Sequence, residues 1–337
     1  MADGGDHQRR AALVTGAAGH LGANLVRALL AQGRSVRVLV HRQTRAIEGL
    51  PVEIVRGDLL DRDSLLAACA GTTTVFHLAA TVSAGWQTAS RMDEVNVCGT
   101  ANLVEACLAS GVGRLLHFSS IQALAAPPYD AVLDEACGLV KPDDGGRGAY
   151  DLTKAAGERV VLAAVERGLD AIVLNPTGVL GPLDFQPSAM GEVLRALGQG
   201  KLPALVAGGH CDFVDARDVA WAAVAAEHEG RRGERYILSG TRLSLVDLAQ
   251  RWAFATGTAA PRIAFPMGMV RLATPFAGAY ARLRGRRPLL TSESLRILRT
   301  QPPVRRTKAE VELGFRPRPI EETLRDTCQW MREQRWL

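Results

Sequence analysis

Lysine is nearly missing from this chain. Only Lys141, Lys154, Lys201 and Lys308 occur among the 40 basic residues, so the other 36 are arginine. Against 35 acidic residues the net charge is +5, which over 337 residues is too little to indicate nucleic acid as a partner. The six cysteines (69, 98, 107, 137, 211 and 328) never come closer than nine residues, which excludes a C-x-x-C redox pair or zinc knuckle. Reduced thiols and a cytoplasmic location are expected. The first ten residues, MADGGDHQRR, are polar and lack the apolar core of a signal peptide. No apolar run approaches the eighteen residues a membrane span needs, so stable membrane insertion is not expected. The most lipid-like stretch, Leu272 to Ala281, is short enough for a pocket wall or core helix.

What is present is an alternation of short apolar runs with helical patterns. Strands are predicted at 11–14, 35–40, 52–55, 74–78, 114–118 and 171–174, and helices at 20–31, 61–70, 92–109 and 150–167. Such alternation implies βαβ units and a doubly wound α/β fold with a parallel sheet covered on both faces. After Asn175 proline and glycine become denser and the segments shorter. Helices are expected at 244–255, 291–298 and 321–333, with a strand at 235–238. Residues 10–176 thus read as a nucleotide-binding domain. Residues 177–337 read as a smaller mixed substrate-binding region, part of which packs back on the first. The long connection 125–148, rich in proline and glycine, has the length of a lid or binding loop.

The first strand runs into Thr15-Gly16-Ala-Ala18-Gly19-His20-Leu21-Gly22 and then a helix. Gly16 permits a tight turn, Gly19 admits a pyrophosphate to the backbone, and Gly22 lets helix and strand approach. The helix N-terminus offers free N–H groups to phosphate. An NAD site usually places an acid after the second strand for the ribose hydroxyl. Here no acid lies between Asp6 and Glu48, and the second strand is followed by His41-Arg42-Gln43-Thr44-Arg45. Guanidinium groups suit a 2′-phosphate, so NADP(H) is expected ahead of NAD. Which of His41, Arg42 and Arg45 meets the phosphate stays open. Asp58 can accept from the adenine amine, Asp61 reads as a helix cap, and His77 reads as structural. Ala79 and Ala80 supply small residues where backbone passes the cofactor.

Tyr150 and Lys154 stand four apart on one helix face. An ammonium at ~5 Å would favour the phenolate by ~2 pK units at an effective dielectric near 20, which predicts a tyrosine able to trade a proton near neutral pH. Ser119 and Ser120 end the strand 114–118, at the carboxyl edge where open α/β sheets bind ligands.

TGxxGxxG at 15–22, this serine pair and Tyr150-Asp-Leu-Thr-Lys154 together resemble the extended short-chain dehydrogenase/reductase family of the NAD-dependent epimerase/dehydratase superfamily. GDLL at 57–60, Asn96-Val-Cys-Gly-Thr100, Asn175-Pro176 and Phe213-Val-Asp-Ala-Arg-Asp218 add to the likeness, which is greatest to the dihydroflavonol-reductase-like branch. The resemblance implies a Rossmann domain with Tyr150 as acid/base, Lys154 on the nicotinamide ribose, Ser120 orienting the substrate and Asn96 supporting the geometry. It implies a cofactor set of Gly16, Ala18, Gly19, His20, Leu21, His41, Arg42, Arg45, Asp58, Leu59, Ala79, Ala80, Tyr150, Lys154 and Pro176, with no metal. A homodimer pairing the helices 92–109 and 150–167 is also implied. Two departures stand out. Ile121-Gln122 replace the Asp-Glu pair of sugar-nucleotide dehydratases, and His41 stands where plant reductases often place arginine. The expected activity is NADP(H)-dependent interconversion of a small ketone or aldehyde with its alcohol. A sugar-nucleotide epimerase is the alternative, and a non-catalytic nucleotide sensor, which has no need of a proton donor, the more distant one.

Overall fold

The computed structural model describes residues 11–82, 88–128, 131–272, 274 and 292–337. Its centre is a seven-stranded, wholly parallel sheet in the order β3-β2-β1-β4-β5-β6-β10. The strands are β1 (Ala12–Thr15), β2 (Val36–Val40), β3 (Glu53–Arg56), β4 (Thr74–His77), β5 (Arg114–Phe118), β6 (Ala171–Pro176) and β10 (Arg235–Leu238). The helices alternating with them are α1 (His20–Ala31), α2 (Arg62–Cys69), α3 (Ala89–Asp93), α4 (Gly99–Ala109) and α5 (Ala149–Glu166). The expected doubly wound α/β architecture is therefore the one observed.

Strands buried on both faces need apolar residues at successive positions, and β1 meets this by alternation. Leu13 joins a core with Leu65, Leu103, Leu115 and Val161 on one face, while Val14 joins Leu25, Leu29, Phe76, Leu116 and Leu174 on the other. Helix α1 turns Leu25, Val26 and Leu29 inward and stops before Gly33, whose φ of +71° ends the helical path.

The single helix expected over 92–109 is three pieces. α3 passes into a π-turn, Glu94–Cys98, before α4 begins. The positions buried in and just after it, Asn96, Gly99 and Thr100, are polar or small, so no apolar stripe marks the widened turn. Such insertions concentrate at functional sites, and this one carries Asn96.

The chain after β6 holds two helices that the irregular composition hid, α6 (Ala189–Gly198) and α7 (Ala216–Glu229). α7 lies along α1 and shares its core, and β10 pairs in register with β6, Arg235 opposite Val173. A three-stranded sheet joins β7 (Gly178–Leu180), β9 (Cys211–Asp215) and β11 (Thr241–Leu243), and β8 (Ala204–Ala207) pairs with β12 (Ile263–Pro266). With α8 (Leu245–Thr256) and α11 (Ile320–Glu333) these enclose a third core around Phe213, Leu248, Trp252, Leu324 and Met331. α9 (Ser292–Thr300) and α10 (Thr307–Glu312) complete the chain. The loop 125–148 is tied down by Leu133, whose N–H and carbonyl bond Pro303 and Arg305. Most of the apolar stretch 272–281 lies outside the described residues.

Candidate active site

Two groups of residues meet at the carboxyl edge of the sheet. The first is the turn between β1 and α1. Gly16 has φ +72°, and a Cβ there would stand 2.6 Å from the Ala79 nitrogen. A Cβ on Gly22 would stand 2.2 Å from the Gly16 carbonyl oxygen. Both positions are closed to larger residues, whereas Gly19 is exposed and caps α1 with no side chain. The first turn also holds no acid. A bare, positive helix end beside a closely packed glycine turn fits a dinucleotide diphosphate. Ala18 and Leu21 flank this turn, Leu21 packed on the core. His20 Nε2 lies 3.1 Å from the carbonyls of both Gly181 and Pro182, which ties the ring to that loop.

At the end of β2 the sequence is acid-free, but the space is not. Asp58, following β3, stands 3.4 Å from His41 Nε2 and accepts from the Leu60 N–H at 3.0 Å. Strand pairing brings this carboxylate to a place that residue order alone leaves empty. Arg45 is turned onto the Phe185 ring and Gln334, while Arg42 is exposed without a partner among the described residues. Leu59 packs under Gly99, Asp61 caps α2 as expected, and Pro176 ends β6 in the buried core edge.

Ala79 opens a directional hydrogen-bond chain. Its N–H donates to Thr15 Oγ1 (3.2 Å), which meets His77 Nδ1 (2.8 Å). His77 Nε2 meets Thr100 Oγ1 (2.9 Å), which donates to the Asn96 carbonyl (2.8 Å). Thr100 has one hydroxyl hydrogen and spends it on Asn96, so His77 must carry its hydrogen on Nε2. Burial holds His77 down to about 3, so the ring is neutral and Nδ1 accepts from Thr15. His77 is thereby structural, and Ala80 follows at the exposed end.

The second group lies on α5. Asn96 holds Thr81 through both backbone groups (2.7 and 2.9 Å) and donates to Thr153 Oγ1 at 3.1 Å. The helix can approach so closely because Gly157 stands where a Cβ would reach 2.7 Å from the Asn96 carbonyl. This fixes the face carrying Tyr150 and Lys154. Tyr150 lies close enough to Ser120 for that hydroxyl to favour its ionised form, and the Ser120 hydroxyl accepts from the Gln122 N–H (3.2 Å). Lys154 donates to the Phe118 carbonyl at 2.5 Å. Tyr150, beside Ser120, and Lys154, on the Phe118 carbonyl, thus both sit at the end of β5.

The expected electrostatics do not hold. Burial pushes the Tyr150 phenol up to about 12, with Asp151 and Glu293 adding to the rise and the Ser120 bond opposing it. Lys154 is not among the influences that lower it, because its ammonium is turned to Phe118 and is itself brought down by burial to about 8, against the pull of Glu158. Desolvation outweighs the ~2 pK units expected from the lysine.

Five further charges frame the site. Glu158, fully buried one turn after Lys154, pairs with Arg235 at 2.9 Å and accepts from Asn175 at 3.0 Å. Its spacing of four from Lys154 was the available signal. Asp151 pairs with Arg296 of α9, and Glu293 lies against Gly148, the cap of α5. No local pattern links positions some 145 residues apart.

The model of the NAD dependent epimerase/dehydratase family matches residues 12–239. The sterol demethylase protein B of Methylococcus capsulatus is 36% identical, covering 96% of this chain and 98% of its own. A putative dihydroflavonol 4-reductase of Synechocystis is 31% identical over 96% and 95%. Among solved structures, a nucleoside-diphosphate-sugar epimerase from Pseudomonas aeruginosa superposes with a TM-score of 0.78 at 27% identity, covering 98% of this chain and 99% of that one.

Proposed function

The chain belongs to the NAD dependent epimerase/dehydratase family, as an extended short-chain dehydrogenase/reductase of the dihydroflavonol-reductase-like branch, and from that premise we propose that it interconverts a small carbonyl compound and its alcohol with NADP(H). The convergence of Ser120, Tyr150 and Lys154 at the carboxyl edge of β5 carries this reading. Bound nicotinamide would supply or accept the hydride. Ser120 and Tyr150 hold the substrate oxygen, and Tyr150 passes it the proton as charge develops. A phenol kept protonated by burial is suited to the reductive direction. Lys154 holds the ribose hydroxyls, and releasing its bond to Phe118 would bring its charge to bear on the tyrosine. Gly16, Gly19 and the N–H groups of Ala18, His20 and Leu21 hold the diphosphate. Leu59, Ala79, Ala80 and Pro176 line its path and Asp58 takes the adenine amine. Residues 10–176 bind the dinucleotide and 177–337 shape the substrate pocket.

The preference for NADP(H) rests on exposed Arg42, supported by Arg45 and His41. The experiment is a screen of ketones, aldehydes and alcohols against both cofactors at the nicotinamide absorbance band. Turnover with NADPH supports the reading. Tightly retained NAD without net turnover would instead favour an epimerase, a possibility that the likeness to a sugar-nucleotide epimerase keeps in play. We further propose a cytoplasmic homodimer through α4 and α5. Light scattering should report twice the chain mass at micromolar concentration, and a monomer would refute it.

A further inference from the structure

The stretch between Asp247 and Glu293 contains 45 residues without a single Asp or Glu, and seven arginines. No other part of the chain has so long an acid-free run. Within it, β12 is exposed along its whole length, with Ile263 at 55% and Phe265 at 46%. The helical residues 267–272 that follow are apolar on two sides. Met267 and Val270 turn inward onto Val206, Leu295 and Leu298, while Met269 (60%) and Leu272 (78%) turn outward. Arg262 and Arg271, both exposed, flank these side chains and pair with no acid among the described residues.

Large apolar side chains standing in water beside unpaired arginines need an explanation. Among the described residues no helix is long and apolar enough to cross a membrane. An outward apolar face bordered by arginine matches the interface of a bilayer, where apolar groups enter the acyl boundary and basic groups meet anionic headgroups. We propose that the face formed by Arg262, Ile263, Phe265, Met269, Arg271 and Leu272 docks this protein on an anionic lipid surface.

Its position gives the docking a use. The inward side chains Met267 and Val270 pack on α9, the helix whose Arg296 pairs with Asp151 and whose Glu293 lies against the cap of α5. The lipid-facing side is therefore one packed helix away from Tyr150. A substrate drawn from the bilayer would have little distance to cover. The docking itself is independent of the proposed reductase activity and is tested apart from it.

The test is flotation of the full chain with vesicles of phosphatidylglycerol and phosphatidylcholine in equal parts, or of phosphatidylcholine alone. The protein is expected to float with the anionic vesicles, to bind the neutral ones far less, and to be released as salt is raised. Arg262→Glu with Arg271→Glu should lower the bound-to-free ratio about tenfold or more. Phe265→Ser with Leu272→Ser should do the same without changing charge. Thermal melting and dinucleotide affinity, which these residues do not serve, report whether the variants remain folded. Absence of flotation with anionic vesicles, or flotation of folded variants equal to wild type, overturns the proposal. Capture on immobilised polyglutamate without flotation would overturn it too, in favour of an acidic protein partner.

Discussion

The two edges that meet at this site are made of different materials. The nucleotide edge, between β1 and α1, is backbone: glycines where a Cβ would strike a neighbour, a helix end without a side-chain cap, and a histidine tied to the loop at Gly181 and Pro182. The proposed proton-transfer edge, along α5, is buried charge: Lys154, Glu158 and Asp151, each answered by a group from another element. The first works by leaving room, the second by holding ionisable groups out of water. Shape should fail on adding atoms, and electrostatics on removing a hydrogen-bonding atom.

That contrast is broken most sharply at Tyr150. Tyr150→Phe keeps the ring but leaves the substrate oxygen without an acid, so turnover should fall by at least ~100-fold while dinucleotide affinity stays near wild type. On the proposed reading Lys154→Ala should lose both, because the lysine would serve the tyrosine and the ribose. A folded, dinucleotide-binding Tyr150→Phe enzyme with wild-type turnover on its true substrate would end the assignment.

Next in size is the latch between α5 and α9. Arg296→Ala leaves the buried Asp151 carboxylate without its cation, and unfolding free energy in urea should drop by about 2 kcal/mol. Adding Asp151→Asn should restore much of that loss. If the double variant is no better than the single, packing rather than charge holds the latch.

On the nucleotide edge, Gly22→Ala adds one methyl 2.2 Å from the Gly16 carbonyl. Overpacking of this kind costs about 1–3 kcal/mol. The expected outcome in a fluorescence titration is about tenfold weaker dinucleotide binding, and an unchanged affinity would show that the turn can yield. The smallest effect is expected at Arg42. NADPH should bind several-fold more tightly than NADH, and Arg42→Ala should narrow the gap. Equal affinities in the wild type at fixed ionic strength would remove the case for a 2′-phosphate.

The same division explains what could be read from residue order. Backbone requirements are local, so Gly16, Gly19 and Gly22 announced the turn, and helix spacing announced Tyr150 with Lys154. Even the limits of α1 and β5 emerged as expected. Charge partners are set by the fold. Nothing near Asp151 points to Arg296, and nothing in the acid-free run after β2 reveals that Asp58 stands beside His41. The lysine's influence departs from expectation for a related reason. Its distance along the helix was readable, but its bond to Phe118 and the dryness around the phenol were not. The π-turn is hidden because the positions buried in and just after it, Asn96, Gly99 and Thr100, carry no apolar side chain that would show a break in phase.

The chain from Ala79 through Thr15, His77 and Thr100 to Asn96 runs between the two edges and uses each hydrogen once. It begins at a peptide N–H and ends at a peptide carbonyl, neither of which exchanges protons readily at neutral pH. Shifting every hydrogen one step along would strip an amide at one end and protonate a carbonyl at the other. Although it passes through an imidazole, the chain is therefore an insulator. It fixes the orientation of the nucleotide turn against the π-turn while conducting no charge.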